Sequence, residues 1–264
     1  MILVTAVIDY RYRFYYLRDL LFSLVARDMK LRYKRSLLGF AWSLINPLAQ
    51  LMVLNFVFSH VLPLNIPHYA AFLFTGILVW SWFQSSLLMA TGSIVDNRDL
   101  IRKPGFPIAV LPIVSIATNF IHFLLALPML IFFLLASGIQ LTTTVLVLPI
   151  LFALQFLLTI SLAYFISAVH VVFRDTQYLL GIGLLLGFYL SPVFYDASII
   201  PENYQFLYRL NPMVVLIDAY RTLLLKGELP SGTPLLVLWI AATAFLVFGY
   251  NVFRRSSHNF IEEL

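Results

Sequence analysis

The sequence predicts an all-α integral membrane protein, and three observations lead there. Of its 264 residues, 61% are hydrophobic and only 11% charged, against roughly 25% charged in soluble domains. Mean hydropathy is +0.92, which leaves too little polar surface to clothe a water-soluble globule. The apolar residues also fall in long runs of about 20, the length that crosses a hydrocarbon core about 30 Å thick. The chain has no cysteine, which removes disulfides and thiolate metal sites. Residues 1–36 are charged and tyrosine-rich, without the apolar core and small cleavage-site residues of a secretory signal.

Residues 1–36 form a cytoplasmic N-terminus. Between residues 10 and 32, Phe14, Leu17, Leu21, Leu24, Val25 and Leu31 recur at roughly helical spacing, with Arg18, Asp19, Arg27, Asp28 and Lys30 between them. That pattern fits an amphipathic helix lying along the inner membrane face, its cations drawn to anionic lipid. The alternative is an ordinary cytoplasmic helix packed on a partner protein.

Residues 37–264 hold six expected transmembrane helices, at about 37–61, 69–94, 106–136, 144–171, 178–195 and 234–252. In the first, Gly39 permits a bend at the membrane entrance and Pro47 removes a backbone donor. Trp42 reads as an interface anchor or as part of an inner mouth. In the fifth, Gly181, Gly183 and Gly187 read as helix-packing positions. Tyr69, Trp80 and Trp82 are candidates for the aromatic belt.

Orientation follows from the cations. With both termini cytoplasmic, Arg11, Arg13, Arg18, Arg27, Lys30, Arg32, Lys34 and Arg35 precede the first span. Arg98, Arg102, Lys103 and Arg174 lie in the inner connections, and Arg254 and Arg255 follow the last span. Only Arg209, Arg221 and Lys226 of the 17 Lys and Arg fall outside, the asymmetry of the positive-inside rule. The net charge of +5 hugs the membrane ends and is no nucleic-acid footprint.

Two connections stand out. The inner one, 96–104, is compact, of mixed charge and ended by Pro104. Composition favours a solvated loop, with a short docking helix as the alternative. The outer one, 196–233, contains Pro201 as a start for one short helix. Asn211-Pro212 supplies an N-cap and a first-turn proline for a second, and Lys226-Gly227 its end. That second helix is too short to cross, so the segment 196–226 is expected as an external re-entrant helical hairpin between spans five and six. Within it Asp218 and Arg221, three apart, can pair.

Catalytic signals are missing. There is no P-loop, no H-E-x-x-H, and Thr91-Gly92-Ser93 lacks the frame of a nucleophile elbow. No catalytic residue and no metal ligand is nominated. The one titratable group near the middle of a span is His122, and with Asn119 it is expected in an interhelical hydrogen bond. Aromatics make up 16% of the chain, and rings near span ends offer sliding contacts for amphipathic ligands such as sugars.

Several of these stretches together resemble a known family. Arg32-Tyr33-Lys34-Arg35-Ser36-Leu37-Leu38-Gly39-Phe40-Ala41-Trp42 followed by Asn46-Pro47-Leu48, then Arg174-Asp175, Ser191-Pro192-Val193-Phe194-Tyr195, Asn211-Pro212 and Tyr220-Arg221, occur in the order and spacing of ABC type-2 permeases of polysaccharide export. The nearest match is to permeases of bacterial O-antigen exporters, with capsule and teichoic-acid permeases close by. The resemblance implies two copies of this chain working with two separate ATP-binding subunits in the bacterial inner membrane. ATP and Mg would sit on those subunits, with no cofactor on this chain. It implies that 96–104 is a coupling helix, with Arg27, Asp96, Arg98, Asp99, Arg102 and Lys103 as ATPase-docking candidates. It further implies outer gate helices with Asn211, Pro212, Asp218 and Arg221 as candidates. An undecaprenyl-linked polysaccharide would slide past aromatics, for which Tyr33, Phe40, Trp42, Tyr189, Phe194 and Tyr195 are candidates. Export of a small lipophilic drug on the same fold is the first alternative. A membrane enzyme is the second, and it would need convergent acids, bases or metal ligands near the interface.

Overall fold

The computed structural model describes residues 2–34 and 39–263. Residues 35–38, with Arg35 and the expected span start at Leu37, lie outside the described residues, as do the side chains of Arg11, Arg13, Phe14 and Phe40. Among the described residues there is no strand. Helix α1 (Ile2–Tyr33) is longer than the expected 10–32 segment. After a single turn at Gly39–Ala41, where Gly39 takes a left-handed φ of 49°, come α2 (Trp42–Phe56), α3 (Tyr69–Gly92), α4 (Arg98–Ile101), α5 (Val110–Ala136) and α6 (Leu148–Val172). Then follow α7 (Thr176–Leu190), α8 (Glu202–Arg209), α9 (Pro212–Arg221), α10 (Gly232–Ser256) and α11 (Phe260–Glu263). π-type turns extend α2 through Val61 and α9 through Lys226.

Among the described residues, five helices are long and apolar enough to cross a membrane: Trp42–Val61, Tyr69–Gly92, Val110–Ala136, Thr143–Val172 and Gly232–Ser256. The expected fifth span over 178–195 differs. Helix α7 has 15 residues, about 22 Å, and stops at Leu190. Ser191 is already extended (ψ 152°), because a residue before proline is driven out of the helical region, and Pro192 follows.

Helix α3 is the centre of the bundle and packs on α2, α5, α6, α7 and α9. Its aromatics therefore point into protein. Tyr69, Trp80 and Trp82, expected in the interfacial belt, are 9%, 4% and 2% exposed. The Trp82 ring lies 4.8 and 5.0 Å from those of Phe120 and Phe123 on α5. Polar groups inside the bundle bond across helices, since hydrocarbon offers them no partner. Gln155 Nε2 donates to Val79 O at 2.9 Å, and the Tyr164 hydroxyl to Ala109 O at 3.0 Å. The interhelical hydrogen bonding expected at His122 beside Asn119 is present, and its partner is α1. The Tyr33 hydroxyl lies 3.1 Å from His122 Nδ1, and Arg32 Nη1 donates to Asn119 Oδ1 at 3.3 Å. The last turn of α1 thus runs beside α5, close to its middle.

Small residues set two close approaches. At Gly249 an added Cβ would stand 2.6 Å from Ser161 O, so α10 and α6 meet backbone to backbone. Of the α7 glycines, a Cβ at Gly187 would stand 3.0 Å from Trp80, whereas one at Gly181 or Gly183 would meet nothing within 4 Å among the described residues. Gly249→Ala should therefore cost about 2 kcal/mol, the scale for overpacking a close contact. Gly232→Ala, also with nothing within 4 Å, should be neutral or slightly stabilising. Thermal unfolding of the two detergent-solubilised variants checks the contrast.

Candidate functional site

The inner connection is a built surface. Gly92 lets the Asp96 carboxylate come close, since a Cβ there would lie 2.7 Å from Asp96 Oδ2. The chain then turns through Val95–Asn97 into the single turn of α4 at Arg98–Ile101, so the segment that composition favoured as a solvated loop is helical as far as Ile101 and turns from Arg102 to Pro104. Ile94 and Ile101 are buried beneath it, while Asp96, Arg98, Asp99, Arg102 and Lys103 are all exposed. Two isoleucines anchor the turn and the charges face outward. Arg27 behaves differently from the other docking candidates. Its Nη2 donates to Asn97 Oδ1 at 2.7 Å and pairs with Asp28 at 2.9 Å, so it ties α1 to the inner connection.

Two cavities flank α2. The inner one, about 430 Å³, lies between the end of α1 and helices α2, α3 and α5, and Tyr33 and Trp42 line it together with Arg32, Asn46 and His122. The outer one, about 470 Å³, lies between α2, α3 and α7 and is lined by Gln50, Gln84, Phe188 and Tyr189. Ala49 borders both, so the two adjoin along α2. Only Pro47 and Leu51 of this helix are buried, and the exposed residues through Val61 include Asn46, Gln50, Ser59 and His60 beside the apolar Met52, Val53, Phe56 and Val61. Polar groups facing hydrocarbon are expensive, which singles out Asn46 and Gln50 at the cavities.

The conduit candidates fall into two groups on this track. Tyr33 and Trp42 sit at the inner cavity, with the Trp42 side chain 54% exposed. The backbone of Phe40 is in the turn before α2. Tyr189, Phe194 and Tyr195 form the other group. Phe194 stacks on Phe58 at 5.2 Å and on Phe188 at 5.9 Å, and the Tyr195 hydroxyl donates to Tyr189 O at 3.2 Å. Sequence reasoning missed Gln50, Gln84, Arg32 and Asn46. For Gln50, Gln84 and Asn46 the available signal was uncharged polar residues inside apolar runs, whereas Arg32 stood in a basic stretch read only as the membrane boundary.

Beyond α7 the outer segment is tied down by side chains. Asn211 caps α9 as expected, accepting from Met213 N–H at 3.0 Å, and its amide also donates to Ser191 Oγ at 2.9 Å. Pro212 occupies the first turn and Gly227 ends the helix at φ 68°. Asp196 accepts from Ser198 N–H at 2.8 Å. Burial pushes its carboxyl up, but the Ser198 bonds with the Arg221 and Lys226 cations hold it below the usual carboxylate range.

The expected pair of Asp218 and Arg221 does not form. Asp218 is exposed and makes no ion pair among the described residues. Arg221 is 6% exposed and turns inward. Its Nη2 donates to Val193 O at 2.8 Å, and Nε and Nη2 each lie 3.3 Å from Phe72 O. The guanidinium carbon stands 3.3 Å from the centroid of the Phe72 ring. Gly76 makes the room, because a Cβ there would be 2.5 Å from Val193 O and 2.8 Å from Arg221 Nη2. Buried carbonyls and an aromatic face satisfy a desolvated cation better than an exposed carboxylate one turn away. Next to it, Tyr220 stacks on Phe152 at 6.2 Å and meets Phe123 edge-on at 6.5 Å, which seats α9 in the aromatic core.

A model of the ABC-2 type transporter family matches residues 19–225. The chain belongs to the ABC-2 type transporter family. It is 35% identical over 252 residues to the O-antigen export system permease protein RfbA of Myxococcus xanthus, covering 95% of this chain and 97% of that protein. It is 32% identical over 258 residues to the permease protein of the same description from Klebsiella pneumoniae, covering 97% and 99%. The polysialic acid transport protein KpsM of Escherichia coli is 22% identical over 235 residues, covering 88% and 91%. The ABC-2 match takes in the inner connection, residues of both cavities and the Arg221 clamp. The O-antigen and polysialic acid relatives are export or transport proteins of a multi-pass membrane family, in keeping with the apolar helices here.

Removing the clamp should be costly. Arg221→Met should lose about 3 kcal/mol, the scale for hydrogen bonds from a charged donor, and Arg221→Lys should recover part of it without the planar fork. Asp218→Asn should stay within about 0.5 kcal/mol, as an exposed and unpaired position. Denaturant titration in detergent checks the order.

Proposed function

We propose that this ABC-2 permease is the channel-forming subunit of an ATP-driven exporter that moves lipid-linked polysaccharide, an O-antigen-like glycan, outward across the bacterial inner membrane. Two copies act with two separate ATP-binding subunits, both termini are cytoplasmic, and α8–α9 form a re-entrant outer gate. ATP and Mg²⁺ belong to the partner subunits, and the carrier of the glycan is an undecaprenyl lipid.

The observation that carries this reading is the pair of adjoining cavities along α2. A spanning helix that exposes Asn46, Gln50, Ser59 and His60 fits a helix bordering a second copy and a wet path. Hydroxylated, ring-shaped cargo suits the aromatics at both ends of that track. The exposed apolar residues of α7, such as Ile182, and the open space at Gly181 and Gly183 give the second copy a surface to meet. The outward charges of α4 on a buried isoleucine footing support docking of an ATPase, and α1 follows its motion through Arg27 and Asn97. The expected surface placement of α1 applies to its earlier turns.

The experiment is complementation of a deletion strain, scored by surface glycan, permease level and ATPase co-purification. Trp42→Ala or Tyr195→Ala should reduce surface glycan several-fold at unchanged permease level and co-purification. Asp99→Lys with Arg102→Glu should reduce co-purification instead. Surface glycan that is unchanged in the deletion strain itself would sink the reading.

A further inference from the structure

The far end of α10 carries charge that the chain itself leaves unanswered. Asn251, Arg254, Arg255 and His258 line a cavity of about 310 Å³. All four are exposed, and their side chains make no hydrogen bond or ion pair among the described residues. The helix end beside them is firmly built. The Ser257 N–H donates to Phe253 O at 2.8 Å, its hydroxyl to Arg254 O at 2.7 Å, and the Asn259 N–H to Ser256 O at 3.0 Å. Helix α11 then turns back, with Phe260 buried and its ring 5.4 Å from that of Phe253. That anchored turn holds His258 one turn beyond the two arginines.

The same face continues down the apolar span. Val237, Ile240, Val247 and Phe248 are each more than half exposed, and helical spacing puts Asn251, Arg254, Arg255 and His258 in line with them. Leu238, Ala242, Gly249 and Phe253, on the other side, are buried, and the close contact of Gly249 with α6 fixes which way α10 faces. One exposed stripe is thus apolar along the span and cationic at its end, the profile of an anionic phospholipid laid lengthwise. The helix dipole and the membrane boundary account for two cations. They do not account for Asn251, an amide on a face that otherwise meets hydrocarbon. A guanidinium fork matches the paired oxygens of a phosphate, and the Asn251 amide and a His258 ring N–H add further donors. An acidic protein surface would answer the charge but would have no use for the apolar stripe that leads to it.

We propose that the cavity at the end of α10 binds the phosphate of an anionic phospholipid, with Arg254 and Arg255 as its principal ligands and the acyl chains along the exposed stripe of α10. The site lies apart from the cavities along α2 and does not rest on the export reading.

The test uses the detergent-solubilised permease–ATPase complex, with bound lipid counted by native mass spectrometry. The probes are long-chain phosphatidylglycerol, phosphatidylethanolamine of the same chains, and inorganic phosphate. Wild type should retain phosphatidylglycerol several-fold over phosphatidylethanolamine, and excess inorganic phosphate should not displace it. Arg254→Gln and Arg255→Gln should each weaken retention on the order of tenfold, the scale of one charged hydrogen bond, and Arg255→Lys should fall between. Arg174→Gln removes an exposed cation after α6 and should match wild type. Equal retention of the two lipids by wild type overturns the site without need of any variant. So does an equal loss in Arg174→Gln and Arg255→Gln, the mark of diffuse charge, and so does displacement of the lipid by inorganic phosphate. Unchanged lipid retention with loss of ATPase co-purification in Arg254→Gln and Arg255→Gln also overturns it, and assigns these cations to protein docking. Surface glycan, which scores the export reading, decides none of these outcomes.

Discussion

Arg221 lies in α9, yet its guanidinium is held by the carbonyls of Phe72 in α3 and Val193 in the segment after α7, with the Phe72 ring beneath it. One cation therefore fixes three parts of the chain to each other. The segment after α7 cannot be helical, because Pro192 forces Ser191 out of the helix, and its carbonyls need donors from elsewhere. Arg221 supplies the donor for Val193, and the Asn211 amide reaches the Ser191 side chain. Gly76 is the condition for this arrangement, since any side chain on that face of α3 would occupy the space of the guanidinium. The shortness of α7 and the inward seat of α9 are consequences of the same local chemistry.

The polar groups of the bundle divide into two kinds. Gln155, Tyr164 and Asn119 find partners elsewhere in the same chain, and all three are buried or nearly so. Asn46, Gln50, Ser59 and His60 are presented outward from α2, on a helix that this chain alone leaves mostly uncovered. Hydrocarbon rewards the first arrangement and penalises the second. The same division separates the two arginines, with Arg221 closed in by protein and Arg32 open to a cavity. On the proposed function, a second copy bordering a wet path would account for the second kind and would put the candidate aromatics at the two ends of one track.

Much of the fold was legible because hydropathy and capping are local signals. The five long helices follow from apolar run length, and α9 follows from Asn211, Pro212 and Gly227. The family could be read from motifs in order along the chain. The misreadings share one cause, which is that composition does not say which way a side chain faces. Trp80 and Trp82 look like belt residues until α3 is known to be central. Asp218 and Arg221 look like a pair until carbonyls distant in sequence come within reach. Pro192 was visible and could have shortened the fifth span, but the apolar run continued past it. The cavity residues Gln50 and Gln84 are ordinary in a sequence, and only the exposure of α2 makes them informative.

The central claim is that the cavity-lining side of α2, with Asn46 and Gln50, borders water in the working complex. The chain has no native cysteine, so a single introduced thiol reports its own surroundings, and a thiol ionises to its reactive form only where water reaches it. The direct measurement is the labelling rate of Gln50→Cys and Ile240→Cys by a membrane-impermeant thiol reagent in the assembled transporter during ATP turnover. The account predicts rapid labelling of Gln50→Cys on α2 and essentially none of Ile240→Cys on the apolar face of α10. Equal protection of both positions, with turnover intact, would contradict it.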